Sequence, residues 1–138
     1  MIYIRYTGDL LIKATEGSSG YDLKSITKIT LEPNIPKRIK TGINLELIEG
    51  YEGQIRSRSG LSSKGIIVAN SPGTIDQDFR GEIEVVLINL GKEIYIIEQG
   101  DKIAQLVICA LPEIILINSP YPLGNTTRGE KGFGSTGI

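Results

Sequence analysis

The run from Arg38 to Leu47 places apolar side chains at alternating positions, among them Ile39, Ile43 and Leu45. Successive side chains of a β-strand point to opposite faces of the sheet, so this spacing predicts a long strand with one buried and one exposed face. Gly42 interrupts the run, and a glycine inside a strand pattern indicates a bulge or a bend. The run therefore predicts a long strand with a local irregularity.

The rest of the chain is rich in β-branched residues and in turn residues. Isoleucine is its commonest residue, and 17 of its 138 residues are glycine, a share well above the usual ~7%. Turn residues separate the apolar runs at the short spacing of a sandwich or barrel, and Ser62–Lys64 is expected to form one helical turn. The sequence predicts an all-β domain with strands at Ile2–Tyr6, Lys28–Glu32, Lys37–Leu47, Gly53–Arg58, Ile66–Ala69, Gly81–Asn89, Ile94–Glu98, Lys102–Cys109 and Glu113–Ile117.

Composition excludes several kinds of chemistry. The chain has a formal net charge of −1, no histidine and a single cysteine, Cys109. Without histidine, Ser-His-Asp and Cys-His hydrolases in their usual forms and His-based zinc sites are excluded. A single cysteine allows neither an intrachain disulfide nor a four-cysteine zinc site, and it favours a reducing compartment. No run approaches the roughly 18 apolar residues of a membrane span, and the N-terminus lacks the layout of a signal peptide.

The C-terminal stretch differs from the rest of the chain. Strand character stops before Asn118, so residues 1–117 are expected to form the β-domain and residues 118–138 a flexible, Gly-rich arm. Ordering its last eleven residues costs about 10–20 kcal/mol, and burying one Phe offsets only about 1.5–3 kcal/mol. The arm is therefore either a disordered tail or a segment that orders only over a ligand. Its arginine, hydroxyls and glycines suit a phosphate.

Four clusters among the strands also combine groups that can bind a ligand. Arg56–Leu61 holds guanidinium, hydroxyl and flexible backbone, which suits either a phosphate or a plain surface loop with a capping serine. Asn70–Glu82 is either a β-hairpin with polar turn residues or a hairpin mouth that offers backbone groups to a flat heterocycle. Ser18–Leu23 is a turn of small residues that contains one carboxylate, and Gln105 is a polar residue inside an apolar strand, where a buried amide needs partners.

Taken in order, these clusters and the arm resemble the five motifs of the homotrimeric deoxyuridine triphosphatases (dUTPases). The resemblance implies a distorted jelly-roll or β-barrel that hydrolyses dUTP to dUMP and pyrophosphate, with Mg²⁺ bound to the triphosphate. It also implies a homotrimer with shared active sites, located in the cytoplasm or in a host cell, and no nucleic-acid or membrane partner is expected. The five matches cover nearly the whole chain and lie at Ser19–Leu23, Arg58–Leu61, Gly73–Glu82, Gly100–Val107 and Arg128–Gly137.

The resemblance assigns a role to each motif. Asp76 would hold the water that attacks the α-phosphorus in line, and Asp22 would help to organise the hydrated metal through a water. The phosphate-binding residues would be Arg58, Ser59, Gly60, Gln105, Arg128, Ser135 and Thr136. The residues that contact uracil and deoxyribose would be Asn70, Gly73, Thr74, Ile75, Asp76, Phe79, Phe133 and Gly134.

Two positions depart from the family pattern, and neither threatens the implied activity. Phe79 stands where the family usually has Tyr; its ring would still pack on deoxyribose and leave no room for a 2′-hydroxyl. Lys131 replaces a glycine that is common in the arm motif.

The implied base site would discriminate against cytosine. Cytosine would leave buried groups of that site unpaired, and such mismatches support discrimination on the order of 10⁴ or more.

Three alternative functions stay open. A deoxycytidine triphosphate deaminase shares the fold but needs a glutamate as proton carrier, where this chain has Val86, and its neighbours in Glu84–Leu87 offer no clear substitute. A nucleotide-sensing trimer without turnover fits poorly with intact Asp76, Arg128 and Phe133. A nucleic-acid-binding β-barrel is disfavoured by the net charge of −1 and by the lack of a basic stripe.

Overall fold

The computed structural model describes residues 1–137, and within them the chain forms ten strands and a single helical turn. The prediction of an all-β domain is confirmed. The elements are β1 (Arg5–Thr7), β2 (Tyr21–Lys24), β3 (Ile29–Leu31), β4 (Lys37–Glu46), β5 (Tyr51–Arg56), α1 (Ser59–Ser62), β6 (Ile66–Val68), β7 (Gly73–Ile75), β8 (Glu82–Asn89), β9 (Tyr95–Ile97) and β10 (Lys102–Ala110). Within the same residues no helix has the length and apolar character needed to cross a bilayer. Ile138, the last residue of the predicted arm, lies outside the described residues.

Two four-stranded antiparallel sheets share one hydrophobic core. The first sheet has the strand order β1-β4-β8-β6, the second has the order β2-β10-β5-β7, and β3 and β9 pair separately. The core cluster joins Ile39 and Val85 of the first sheet to Ile55 and Leu106 of the second. The apolar faces of both sheets are therefore buried on each other. This is the distorted jelly-roll that the resemblance to the family implies.

The alternation in β4 is confirmed residue by residue. Ile39, Thr41, Ile43 and Leu45 are buried, while the residues between them are exposed or half-buried. Gly42 has a φ of 70°, and the pairing of β4 with β8 shifts register between Lys40 and Asn44. The predicted irregularity at Gly42 is therefore a β-bulge, which a glycine adopts without the cost that a Cβ would impose.

Several predicted boundaries are wrong. Within Ile2–Tyr6 only Arg5 and Tyr6 belong to a strand, because β1 begins where pairing with β4 begins. The short strands β2 and β7 were not predicted, since their turn-like residues become strand only by pairing with β10 and β5. Residues 113–117 form no strand although their side chains are apolar, because no other strand lies beside them. The helical turn lies three residues before the predicted Ser62–Lys64.

Asn89, at the end of β8, holds three segments of the chain together through its buried side chain. Its amide donates hydrogen bonds to the carbonyl oxygens of Leu31, at 3.0 Å, and Glu93, at 2.8 Å. Its Oδ1 accepts a hydrogen bond from the backbone N–H of Gly91 at 2.9 Å. A buried polar side chain with this many partners stabilises a unique packing of the loops around it.

Replacing Asn89 with alanine is expected to destabilise the fold by about 2–4 kcal/mol, because buried backbone groups then lose their partners. Thermal unfolding followed by circular dichroism measures this as a lower melting midpoint at matched protein concentration. The same substitution at the exposed Asn118 is the control and should leave the midpoint unchanged. Equal midpoints for the two variants would contradict the structural role of Asn89.

Candidate functional site

The connection between β7 and β8 crosses from one sheet to the other. β7 is the edge strand of the second sheet, whereas β8 lies inside the first. The loop 76–81 therefore bridges the two sheets, and a cleft of about 240 Å³ opens beside it. This loop is fixed at both ends by paired strands, and two of its residues, Asp76 and Phe79, line the cleft.

Six of the residues predicted to bind uracil and deoxyribose line this cleft. They are Asn70, Gly73, Thr74, Ile75, Asp76 and Phe79. The remaining walls come from β4, β5 and the first half of β8. The structure thus brings together the part of the predicted base site that lies between residues 70 and 79. The predicted β-hairpin within residues 70–82 is wrong, because β7 pairs with β5 while β8 pairs with β4 and β6 in the other sheet. We nevertheless call the cleft beside this segment the hairpin cleft.

Glycine at position 73 allows two neighbours to approach the backbone closely. A Cβ on Gly73 would lie 3.1 Å from the Cβ of Ile55 and 3.4 Å from Nδ2 of Asn70. The amide group of Asn70 therefore lies directly against the strand at the floor of the hairpin cleft. Asp76 follows at the exposed end of β7, and its carbonyl oxygen accepts a hydrogen bond from the N–H of Phe79 at 3.1 Å.

A second cleft, of about 520 Å³, lies between α1 and the turn that leads into β10. Arg58 and Gly60, two of the predicted phosphate-binding residues, line it, together with Lys64 and Lys102. No atom lies within 4 Å of a Cβ built on Gly60, so the backbone there is open to a ligand. We call this cleft the cationic cleft because of its arginine and two lysines.

The side chain of Asp22 anchors two cations of the cationic cleft. It is 5% exposed, and its carboxylate lies 2.7 Å from Nζ of Lys102 and 3.6 Å from Nε of Arg58. Nη1 of Arg58 also donates a hydrogen bond to the carbonyl oxygen of Lys102 at 3.0 Å. Arg58 is thus held by an ion pair on one side and a backbone acceptor on the other, which fixes the direction of its guanidinium.

Gln105 lies beside Asp22 on the neighbouring strand. In the pairing of β10 it stands opposite Asp22 of β2 and opposite Arg56 of β5, in one row across the second sheet. A Cβ on Gly20 would lie 3.1 Å from the Cβ of Gln105, so the glycine before β2 lets the two strands pack closely. Among the predicted phosphate-binding residues, Gln105, Arg58 and Gly60 are therefore carried by neighbouring parts of one sheet and its following loop.

Ser59, the other phosphate candidate of this loop, begins α1 immediately after Arg58. Ser57, two residues before Ser59, connects the loop to β6, because its Oγ accepts a hydrogen bond from the N–H of Val68 at 2.9 Å. The loop that presents Ser59 and Gly60 is thus attached to the first sheet as well as to the second.

The structure does not bring the arm to either cleft. Residues 111–137 are exposed along their whole length, and the arm's predicted ligand contacts, Arg128, Phe133, Gly134, Ser135 and Thr136, are absent from the lining of both clefts. The hydrogen bonds described for residues 126–137 are local turns, such as that from the N–H of Ser135 to the carbonyl of Gly132.

The residues present fit a magnesium ion that arrives with a phosphate ligand. Across residues 1–137 no three His, Cys, Asp or Glu side chains stand close enough together to hold a metal ion by themselves. Mg²⁺ usually keeps several waters and binds through one or two carboxylates plus substrate phosphates. The carboxylate of Asp76 is exposed and available to such a hydrated ion, whereas the carboxylate of Asp22 is buried and already faces Lys102 and Arg58. The role of Asp22 stays a prediction.

Sequence reasoning missed six charged residues at the two clefts. Lys64, Asp101 and Lys102 line the cationic cleft. Glu82 lines the hairpin cleft, and so do Arg38 and Glu84, which form an ion pair at 3.5 Å. Arg38 belongs to the predicted strand Lys37–Leu47, and neither it nor Glu84 was expected near the site. The register of β4 against β8 places both of them there, and no sequence signal of one strand gives that register.

The two clefts have different chemistry. The hairpin cleft offers backbone groups, one amide, an aromatic ring, three carboxylates and the guanidinium of Arg38. The backbone groups, the amide and the ring suit a flat polar heterocycle and its sugar. The cationic cleft offers one guanidinium and two ammonium groups against the single carboxylate of Asp101, and this excess of positive charge suits an anion such as phosphate. The residues that line the two clefts do not overlap within the described chain.

Comparison with known proteins agrees with this chemistry. The dUTPase family model matches residues 7–137. A deoxyuridine 5′-triphosphate nucleotidohydrolase of Rickettsia massiliae is 52% identical over 136 residues, covering 96% of this chain and 91% of the relative. The protein of the same name from Clostridium novyi is 52% identical over 128 residues, covering 91% and 89%.

Solved structures agree in fold. The dUTPase of Staphylococcus bacteriophage 80alpha with dUpNHpp has a TM-score of 0.89 at 28% identity, and the match covers 100% of both chains. A variant dUTPase from phage phi11 of S. aureus, described with a structural Mg(II) ion, has a TM-score of 0.79 at 25% identity and covers 87% of this chain and 98% of its own. With the family model matching almost from end to end and relatives identical at half of their positions, this chain belongs to the dUTPase family.

Proposed function

We propose that this protein hydrolyses dUTP to dUMP and pyrophosphate, which keeps uracil out of DNA and supplies dUMP for dTMP synthesis. The observation that carries the proposal is the convergence of Asn70, Gly73, Asp76 and Phe79 on the hairpin cleft. The single cysteine favours a reducing location, either the cytoplasm or, for a viral chain, the interior of the host cell.

Asp76 is the catalytic residue of the proposed reaction. Its carboxylate stands at the open end of β7, where it can orient a water and take up a proton as the water attacks the α-phosphorus. A Mg²⁺ ion that arrives with the triphosphate, with Asp22 helping to organise its waters, would supply positive charge that offsets part of the phosphate charge. A carboxylate alone would repel the substrate, so cations must dominate around the phosphates, and the cationic cleft supplies them.

Uracil is recognised by the backbone and the amide at the floor of the hairpin cleft. The strand at Gly73–Ile75 presents N–H and C=O groups to the ring, and Asn70 lies against it. Cytosine reverses the donor and acceptor at two positions and leaves these groups unpaired, which costs binding. Phe79 covers the deoxyribose and leaves no room for a 2′-hydroxyl.

The arm, residues 118–138, closes over the bound nucleotide. Phe133 and Gly134 cover the base, Arg128 binds the γ-phosphate, and Ser135 and Thr136 add polar contacts. Charge-assisted hydrogen bonds available only with a triphosphate offset the cost of ordering the arm. The phosphates are also bound from the side of the cationic cleft, by Arg58, Ser59, Gly60 and Gln105. Ser59 lies near the oxygen that bridges the α- and β-phosphates, where the charge of the leaving group develops.

The protein acts as a homotrimer in which different subunits complete one site. One chain presents the hairpin cleft and the cationic cleft as separate places with no shared lining residue, so the groups proposed for the base and those proposed for the phosphates are not joined within one chain. The four apolar residues from Ile114 to Ile117 are 68–92% exposed in the single chain. Exposed apolar surface of this kind is typical of an interface between subunits.

The direct test of the proposed function incubates the purified protein and Mg²⁺ with dUTP, dCTP, dTTP or UTP in parallel and separates the products by chromatography. Selective conversion of dUTP to dUMP and pyrophosphate is the expected result. Uracil nucleotide formed from dCTP would indicate a deaminase, and binding of dUTP without turnover would indicate a sensor; either outcome would overturn the proposal.

Truncation after Thr127 is expected to lower turnover of dUTP by about a hundredfold or more, because the arm's cation and ring act only in the closed complex. The melting midpoint should stay unchanged, since residues 118–137 are exposed. Lys131→Gly, which restores the usual family residue, is the control and should keep full activity. A truncated protein with full turnover would exclude a closing role for the arm.

Mixing two inactive variants tests the shared site. Asp76→Asn should bind nucleotide but lose most turnover, on the order of 10²-fold or more, and Arg58→Ala should lose phosphate binding. In a trimer that contains both variants, one of the three sites combines a hairpin cleft from an Arg58→Ala subunit with a cationic cleft from an Asp76→Asn subunit, and both clefts of that site are intact. Mixed trimers isolated through two different affinity tags should therefore recover about a third of wild-type turnover. No recovery would show that both halves of a site come from one chain.

A further inference from the structure

The loop that carries Phe79 is held by side chains outside the predicted site. Nη1 of Arg80 donates hydrogen bonds to the carbonyl oxygens of Gln77, at 2.7 Å, and Phe79, at 3.1 Å. Nδ2 of Asn44, on β4, donates to the carbonyl oxygen of Arg80 at 2.9 Å. The backbone on both sides of Phe79 is therefore fixed, and the position of its ring depends on what the ring rests against.

The ring of Phe79 rests on the backbone of Gly81. A Cβ built on Gly81 would lie 2.6 Å from Cζ and 2.9 Å from Cε2 of the ring, far inside the ordinary contact range of 3.4–4 Å. The φ of Gly81 is outside the left-handed region that glycine favours, so this backbone accepts any L-residue. Glycine is needed at position 81 because the ring of Phe79 leaves no room for a Cβ, and not because the turn requires a left-handed backbone.

The ring of Phe79 contacts Gly81 and also forms part of the hairpin cleft. Phe79 is in the cleft lining, and Gly81 is not. A methyl group at position 81 needs about 1 Å more room than the contact of 2.6 Å leaves. Because hydrogen bonds hold the loop backbone, the ring is the part that moves, and its movement changes the wall of the cleft to which it belongs.

We propose that Gly81 is a positioning residue that seats the ring of Phe79 and so sets the width of the cleft where the sugar of the nucleotide binds. The inference rests on the proposed function, because it assumes that the hairpin cleft takes the base and sugar of dUTP. Asn44 and Arg80 stabilise this position of the ring, since their hydrogen bonds hold the loop backbone on either side of Phe79.

Gly81→Ala tests the proposal. The displaced ring no longer packs on the sugar in its original position, so the KM for dUTP and the Kd for the non-hydrolysable analogue dUpNHpp should each rise about tenfold, with kcat within about twofold of wild type because Asp76 is not moved. Gly17→Ala is the control, since nothing lies within 4 Å of a Cβ at that position. The melting midpoints of both variants should equal that of the wild type.

A second substitution separates the ring from other effects of position 81. In a Phe79→Leu background the smaller side chain leaves room for the methyl group, so Gly81→Ala should change the Kd for dUpNHpp less than twofold. An unchanged Kd in Gly81→Ala alone, or the same tenfold loss in the Phe79→Leu background, would overturn the role of Gly81. Wild-type protein that binds no dUpNHpp would overturn the proposed function along with it.

Discussion

The pairing of β4 with β8 is the contact on which the rest of the structure depends. Both strands lie inside the first sheet, and their alternating residues, such as Ile39 and Val85, are completely buried. A slip of one residue would turn every buried side chain outward, so the core fixes the register. The bulge at Gly42 then sets Asn44 opposite Glu82, at the start of β8. This register determines the positions of the loop 76–81 and of the wall of the hairpin cleft.

Charge is divided between the two clefts in a way that one chain could not use alone. The hairpin cleft holds Asp76, two glutamates of β8 and one cation, Arg38, a net negative set that would repel a triphosphate. The cationic cleft holds Arg58, two lysines and one carboxylate, Asp101, and the buried Asp22 lies between two of these cations. In the proposed trimer the base meets one subunit and the phosphates meet another, so each part of the substrate finds a favourable charge. Subunit assembly thereby becomes a condition of catalysis.

The parts of the fold that follow from local pattern could be predicted, and those that depend on distant partners could not. The alternation around Ile39 and the bulge at Gly42 are properties of one strand, and the hairpin cleft gathers residues that are close together in sequence. The ion pairs of Asp22 with Lys102 and Arg58 join three separate parts of the chain, and the approach of Arg38 to the hairpin cleft needs the register with β8. The resemblance to a family supplied the roles of Arg58 and Gln105, which spacing alone left open.

The strand predicted at Glu113–Ile117 is wrong because the prediction treats one chain by itself. The segment has the β-branched, apolar composition of a strand, yet the last backbone bond that ties it to the domain is from the N–H of Leu111 to the carbonyl of Gly50. A strand exists only beside a partner, and from that point on the chain has none of its own in the described part of the structure. Four consecutive apolar side chains in water cost free energy that a neighbouring subunit would recover by covering them. The same covering would carry the chain from the domain of one subunit towards the site of another, where the proposed arm has to act. In the proposed trimer the apolar side chains of residues 114–117 are therefore explained by contact with a second chain, and not by a strand within the first.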